Sequence, residues 1–84
     1  MNAFDLNNGD FVEHYLAPQT VWEVRNVDQY TTDGGQAALK WVGGKAITYD
    51  LRQQICNVFL GSDVARIRDL IPANPMMVIA LVSR

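Results

Sequence analysis

The stretch Thr20-Val21-Trp22-Glu23-Val24-Arg25-Asn26-Val27 decides the fold class of this chain. In an extended backbone its odd-numbered positions lie on one face and its even-numbered positions on the other. β-Branched and aromatic residues occupy much of the stretch, which favours a strand over a helix. The pattern therefore predicts a β-strand that carries Trp22 and Val24 on one side.

Three further runs of alternating residues surround this strand, each bounded by a turn signal rich in Gly, Asn, Asp or Pro. These runs are 11–16, 36–42 and 45–49. The pair Gly43-Gly44 separates the last two, and two glycines in that position supply the positive φ angles of a tight hairpin. The sequence therefore predicts four antiparallel strands up to Tyr49, with a hairpin at Gly43-Gly44.

The periodicity changes after Asp50, where apolar residues recur at i, i+4, i+7 and i+8, the spacing of one helix face. Asp50 is a candidate cap for the first turn, and Gly61 suits a C-terminal stop. We therefore predict a short helix near 51–60. The competing interpretation continues the sheet through Ile55 to Leu60.

The run 76–82 is apolar without alternation, and Pro72 and Pro75 precede it. We interpret it as a closing C-terminal strand near 76–83, both of whose faces need cover. The helix near 51–60 covers the second face in one interpretation, and a second chain covers it in the other. The second interpretation predicts a homo-oligomer with these candidate self-association residues: Met76, Met77, Val78, Ile79 and Leu81.

Length and pattern together predict one domain over residues 1–84, because 84 residues leave no room for a second. The predicted fold class is mainly β, a β-rich α+β fold built on an antiparallel meander. Gly9-Asp10-Phe11-Val12, the Trp22 strand and Ala38-Leu39-Lys40-Trp41-Val42 in that order resemble the small SH3-like barrels of bacteria and phages, over about residues 8–49. The resemblance implies a small barrel or half-barrel.

The sequence gives little support for a catalytic site or a metal-binding site. The SH3-like class includes toxin ribonucleases and gyrase poisons, but the chain has no evident arginine and hydroxyl catalytic set, so the resemblance implies no such activity. His14 is the only imidazole, and no nucleophile motif accompanies it. Cys56 is the only cysteine, so neither a disulfide framework nor a multi-cysteine zinc site is predicted. We predict a chain that is not an enzyme and that has no cofactor.

We predict a non-enzymatic protein-binding module, a small accessory, inhibitor or assembly protein in the style of phage proteins, whose protein partner the sequence does not identify. The candidate partner-binding residues are aromatic: Trp22, Tyr30, Trp41 and Tyr49. The alternative is single-stranded nucleic-acid binding, in which these rings stack on bases near Arg and Lys side chains. Residues 1–33 disfavour it, because six acids and one base there repel phosphate.

The sequence also predicts a cytoplasmic location and no association with a membrane. Its first residues contain no basic stretch followed by an apolar one, which is not the pattern of a signal peptide. The seven-residue apolar run 76–82 is far shorter than the roughly 20 residues of a membrane-spanning helix. In a reducing cytoplasm Cys56 is a free thiol.

Overall fold

A computed structural model describes residues 6–28, 34–59 and 62–82 of the chain. These residues form a mainly β fold with antiparallel pairing and two short helices, which confirms the predicted fold class. The elements are β1 (Phe11–His14), β2 (Ala17–Asp28), β3 (Gln36–Gly44), α1 (Tyr49–Ile55), β4 (Asn57–Phe59), β5 (Ser62–Arg66), a 3₁₀ turn (Ile67–Asp69), β6 (Leu70–Pro72) and α2 (Pro75–Val82). The strands form one sheet in the order β4-β5-β3-β2-β1-β6.

The connection between β5 and β6 shows that this sheet is strongly curved. In a flat sheet the two strands would stand four strand spacings apart, or about 19 Å. Only the 3₁₀ turn Ile67–Asp69 joins them, and three residues in that conformation advance about 6 Å. The sheet must therefore curl so that β5 and β6 approach one another. Such curvature suits the predicted half-barrel, whereas the SH3-like resemblance stays a prediction.

The core lies on the concave side of this sheet and is centred on Trp22, which is fully buried on β2. The indole N–H of Trp22 donates to the Thr20 hydroxyl at 3.1 Å, and that hydroxyl donates to the Ala17 carbonyl at 2.7 Å. Trp41 on β3 meets Trp22 edge to face, with ring centroids 4.9 Å apart. The Trp22 indole N–H and the Thr20 hydroxyl are therefore both hydrogen-bonded, as buried polar groups in a stable core generally are.

The predicted hairpin at Gly43-Gly44 and the predicted strand over 45–49 are wrong. β3 runs through Gly44, and the chain then passes through 45–48 into α1. Gly44 does adopt a positive φ of 118°, but its role is a close backbone approach to β2, where the Lys45 N–H donates to the Gln19 carbonyl at 2.8 Å. A glycine pair between two alternating runs indicates a turn or a close approach equally well.

The helix predicted near 51–60 is present but shorter, over Tyr49–Ile55. Its N-cap is Thr48 rather than Asp50, since the Thr48 hydroxyl accepts a hydrogen bond from the Leu51 N–H at 3.1 Å. Cys56 is extended and ends the helix, and the competing sheet interpretation holds for β4, which pairs with β5. Gly61, the predicted stop, lies outside the described residues.

The closing strand predicted near 76–83 is also wrong, because Pro75–Val82 forms the helix α2. The Asn74 side-chain oxygen accepts a hydrogen bond from the Met76 N–H at 2.8 Å, and the Asn74 carbonyl accepts one from the Val78 N–H at 3.1 Å. Asn at the N-cap followed by Pro at the first helical position is a strong helix start. This helix start outweighs the strand preference of the β-branched residues in 76–82.

Candidate functional site

The exposed side of α2 is the most unusual surface of the described residues. Met76, Ile79 and Val82 recur every three residues and are 74%, 59% and 53% exposed. That spacing places them on one side of the helix, and we call them the α2 surface. The helix carries no charged residue. A helix that is apolar on all sides is typical of a buried element. Because three large side chains of α2 are exposed, this helix is only partly covered in the structure.

The opposite side of α2 packs against the sheet at β3 and β2. α2 contacts β3 and β2, and a Cβ built on Gly43 would lie 3.0 Å from a methyl carbon of Leu81. Gly43 pairs in register with Val21, which is fully buried although it lies outside the main core. The helix therefore covers an apolar part of the sheet at Val21 and leaves its own outer side in solvent.

The candidate self-association residues divide between these two sides. Met76 and Ile79 belong to the exposed α2 surface, whereas Met77, Val78 and Leu81 are half-buried. The predicted strand needs cover on both faces, whereas the helix has one covered side and one exposed side whose large residues recur every three positions. Val82 joins the exposed side for this reason, although the strand interpretation did not select it.

The aromatic candidates occupy different environments. Trp22 belongs to the core rather than to a binding surface, because none of it is accessible to a partner in the folded protein. Tyr30 lies outside the described residues. The structure brings the other two together: half-buried Trp41 and exposed Tyr49 line one cleft of about 390 Å³. The remaining lining residues are Ala46, Ile47, Thr48 and Arg52.

Arg52 at this cleft has its charge balanced by its own chain. Its guanidinium forms a two-nitrogen ion pair with the carboxylate of Asp63 on β5, and it stands 5.7 Å from the centroid of the Trp22 ring. The hydrogen bond to Asp63 raises the pKa of Arg52 above its ordinary value. This pair holds α1 against β5, so the cleft presents mainly apolar groups and little free positive charge.

A second cavity, of about 470 Å³, lies beside the turn between β1 and β2, and His14 forms part of its wall. The His14 side chain is 2% exposed, and its Nδ1 accepts a hydrogen bond from the Leu16 N–H at 3.1 Å. Burial lowers the pKa of His14 below its ordinary value, and the nearby carboxylate of Asp69 opposes that shift. His14 is therefore neutral at pH 7, with its proton on Nε2.

We expect the free energy of unfolding to fall as the pH drops below about 6.5, the ordinary pKa of histidine. The folded protein resists protonation of His14, whereas the unfolded chain accepts the proton, so acid favours the unfolded state. Denaturant unfolding between pH 5 and pH 8 measures this slope. His14→Asn keeps an acceptor for the Leu16 N–H and removes the titration. An equally steep slope in that variant would contradict the assignment.

Cys56 lines the same cavity but is not an activated nucleophile. Burial raises the pKa of its thiol to about 12, with Asp63 adding to the shift and Arg52 opposing it. A reactive cysteine has a depressed pKa next to a positive charge or an imidazolium. The thiol is therefore protonated at neutral pH and packs as a small apolar group.

Within residues 6–28, 34–59 and 62–82, no group of three or more His, Cys, Asp or Glu side chains is placed to hold a metal ion. In the same ranges no helix has the length and apolar character needed to cross a membrane. Comparison with known protein families, curated proteins and solved structures finds no match for the chain.

Proposed function

We propose that the protein is a non-enzymatic protein-binding module that assembles through the α2 surface, with a second copy of the chain as the partner. The exposure of Met76, Ile79 and Val82 on an uncharged helix carries the proposal. Large apolar side chains grouped on one surface of a small protein mark an interaction site, since their exposure to water is unfavourable.

A second copy of the chain suits this surface because α2 has no charged residue anywhere along its length. Two-fold pairing brings a patch against itself, so any charge in the patch meets a like charge. α2 carries none, and the net charge of the chain is only −2. Pairing α2 with α2 therefore buries methyl and thioether groups with no charge to desolvate.

The size of the helix predicts a weak dimer. Eight helical residues extend about 12 Å, whereas a stable interface buries about 800 Å² on each partner. That area is about one-seventh of the 5660 Å² accessible surface of the described structure. The α2 surface supplies only part of it, so we expect dissociation constants in the range of roughly 10 to 100 µM.

We also propose that the Trp41–Tyr49 cleft binds a different protein, in addition to the pairing of two copies through α2. Its aromatic and aliphatic lining suits an apolar side chain inserted by a partner. The nucleic-acid alternative loses two of its groups, because Trp22 is buried and Arg52 is paired with Asp63. Of the four aromatic candidates, Trp41 and Tyr49 are the two that the described residues leave accessible for stacking on bases, and the nearby carboxylate of Asp63 repels phosphate.

Sedimentation velocity from about 1 µM to 1 mM tests the proposed assembly, since this range brackets the expected dissociation constant. We expect the weight-average mass to rise from that of a monomer to that of a dimer. Sodium sulfate should strengthen the dimer, because it favours burial of apolar surface. A mass that stays monomeric at the highest concentration, or a dimer that salt dissociates, would contradict the proposal.

A further inference from the structure

The cavity beside His14 is assembled from five separate parts of the chain. The β1–β2 turn contributes Tyr15 and Leu16, and the start of β3 contributes Gln36. The end of α1 contributes Gln53 and Gln54, β5 contributes Arg66, and the 3₁₀ turn contributes Asp69. Its volume of about 470 Å³ lies within the range of small-molecule sites in proteins.

Three primary amides dominate the polar lining. Gln36 stands directly opposite Arg66 in the β3–β5 ladder, so both side chains leave the sheet on the same face. Gln53 and Gln54 approach from the end of α1, and both are exposed to solvent. The Gln53 amide nitrogen already donates to the Tyr49 hydroxyl at 2.7 Å. Gln36 and Gln54 each offer a donor and an acceptor side by side, so the cavity can satisfy a ligand edge that carries both.

His14 supplies a buried donor for which the described residues provide no acceptor. Its Nδ1 is occupied by the Leu16 N–H, so the neutral ring carries its proton on Nε2. The nearest ion-pair partner of Nε2 is an Asp69 carboxylate oxygen 3.9 Å away, which is beyond hydrogen-bonding distance. Among the described residues this N–H has no hydrogen-bond acceptor, although the side chain is almost completely buried. A ligand acceptor atom in the cavity would satisfy it.

Tyr15 adds a flat aromatic wall. Its ring stacks on the His14 imidazole with centroids 5.0 Å apart and planes 24° from parallel. The side of Tyr15 away from His14 remains open, since 61% of the residue is exposed. An exposed ring whose orientation is fixed by stacking is a platform for a second planar ring.

The charges of the lining cancel. Among the described residues that line the cavity, Arg66 is the one cation, Asp69 is the one carboxylate, and His14 is neutral at pH 7. An oxyanion would leave Asp69 facing a like charge, so a neutral ligand fits better. We propose that this cavity binds a small, neutral, planar heterocycle with adjacent donors and acceptors, which is the chemistry of a nucleobase or nucleoside. The proposal is independent of the α2 surface.

Nitrogen-15 NMR of the imidazole tests this proposal directly, because the chain contains a single histidine. The free protein should show the tautomer protonated on Nε2. Adenosine, guanosine, cytidine and uridine are added in turn, with glucose and inorganic phosphate as comparison ligands. We expect at least one nucleoside to shift the Nε2 signal saturably while glucose and phosphate do not. The absence of a shift with all four nucleosides, or an equal shift with glucose, would overturn the proposal.

Matched variants then locate the binding site. Gln54→Ala removes one amide from an exposed helical position, and we expect it to weaken nucleoside binding about fivefold, the value of one hydrogen bond. Lys40→Ala is the control, since Lys40 is exposed on β3 and does not line the cavity. Arg66→Ala should leave the affinity for the nucleoside that shifts the Nε2 signal within about twofold, because that ligand is neutral. Loss of binding of this nucleoside in Lys40→Ala, or unchanged binding in Gln54→Ala, would contradict this site.

Discussion

Replacing Ile79 with lysine should leave the protein monomeric at concentrations at which wild-type copies pair. Ile79 lies in the middle of the α2 surface, between Met76 and Val82, so the centre of the proposed interface would acquire a charge. In a two-fold dimer each substitution acts twice, and the two ammonium groups also repel one another. We expect the dissociation constant to rise by at least about 100-fold, which corresponds to about 2.7 kcal/mol.

The matched control is Ile71→Lys. Ile71 is 46% exposed on β6, the last strand in the sheet order, so it differs from Ile79 chiefly in location. We expect this variant to dimerise like the wild type, and a lysine on an edge strand is well tolerated. Circular dichroism should show that both variants remain folded, since each changed side chain is largely in solvent. If both substitutions weakened the dimer equally, the cause would be a general effect of the added charge, and this result would contradict an interface at α2.

The central strands could be predicted from sequence because their signals are local. Alternation in 20–27 predicts the strand and places Trp22 and Val24 on one side of it, but it does not predict that Trp22 is buried, since the sequence offers Trp22 equally as a partner-binding residue. The same alternation located β1 and β3 to within a few residues. Local capping chemistry likewise revealed α1, although Thr48 rather than Asp50 provides the cap.

The C-terminal helix was mispredicted because periodicity is silent where every residue is apolar. In 76–82 neither a three-residue nor a two-residue spacing stands out, and the strand interpretation rests on the unbroken apolar run and on Pro72 and Pro75 before it. The deciding signal was Asn74-Pro75 just before the run, a cap followed by a proline at the first helical position. These two residues, and not the run itself, specify the helix and with it the spacing of its exposed side.

The cavity beside His14 could not be predicted for a different reason. Gln36, Gln54 and Arg66 stand far apart in sequence and carry no motif, and only strand pairing and the end of α1 bring them together. His14 was noted as the single imidazole, but its burial and its bond to the Leu16 N–H depend on the turn at Tyr15 and Leu16. Such sites follow from topology, which sequence pattern constrains only weakly.

Replacing Gly44 with alanine should destabilise the protein severely. A Cβ at this position would lie 2.3 Å from the Gln19 carbonyl oxygen and 2.8 Å from the Thr20 Cα, and both are backbone atoms that cannot move independently. The φ of 118° adds strain for any residue with a side chain. We expect a loss of about 3 kcal/mol or more, from a total that is about 4 to 13 kcal/mol for a chain of this length.

Gly43→Ala is the matched comparison, one residue earlier on β3. Its Cβ would meet only the end of the Leu81 side chain, at 3.0 Å, and Gly43 has no positive φ. Leu81 can shift by a few tenths of an ångström, and alanine is favoured over glycine in a strand, so stability should change by less than about 1 kcal/mol. Urea unfolding of the two variants measures this difference. Equal stabilities would contradict the close backbone approach at Gly44, whereas a large difference assigns Gly44 to the contact between β3 and β2 on which α2 rests.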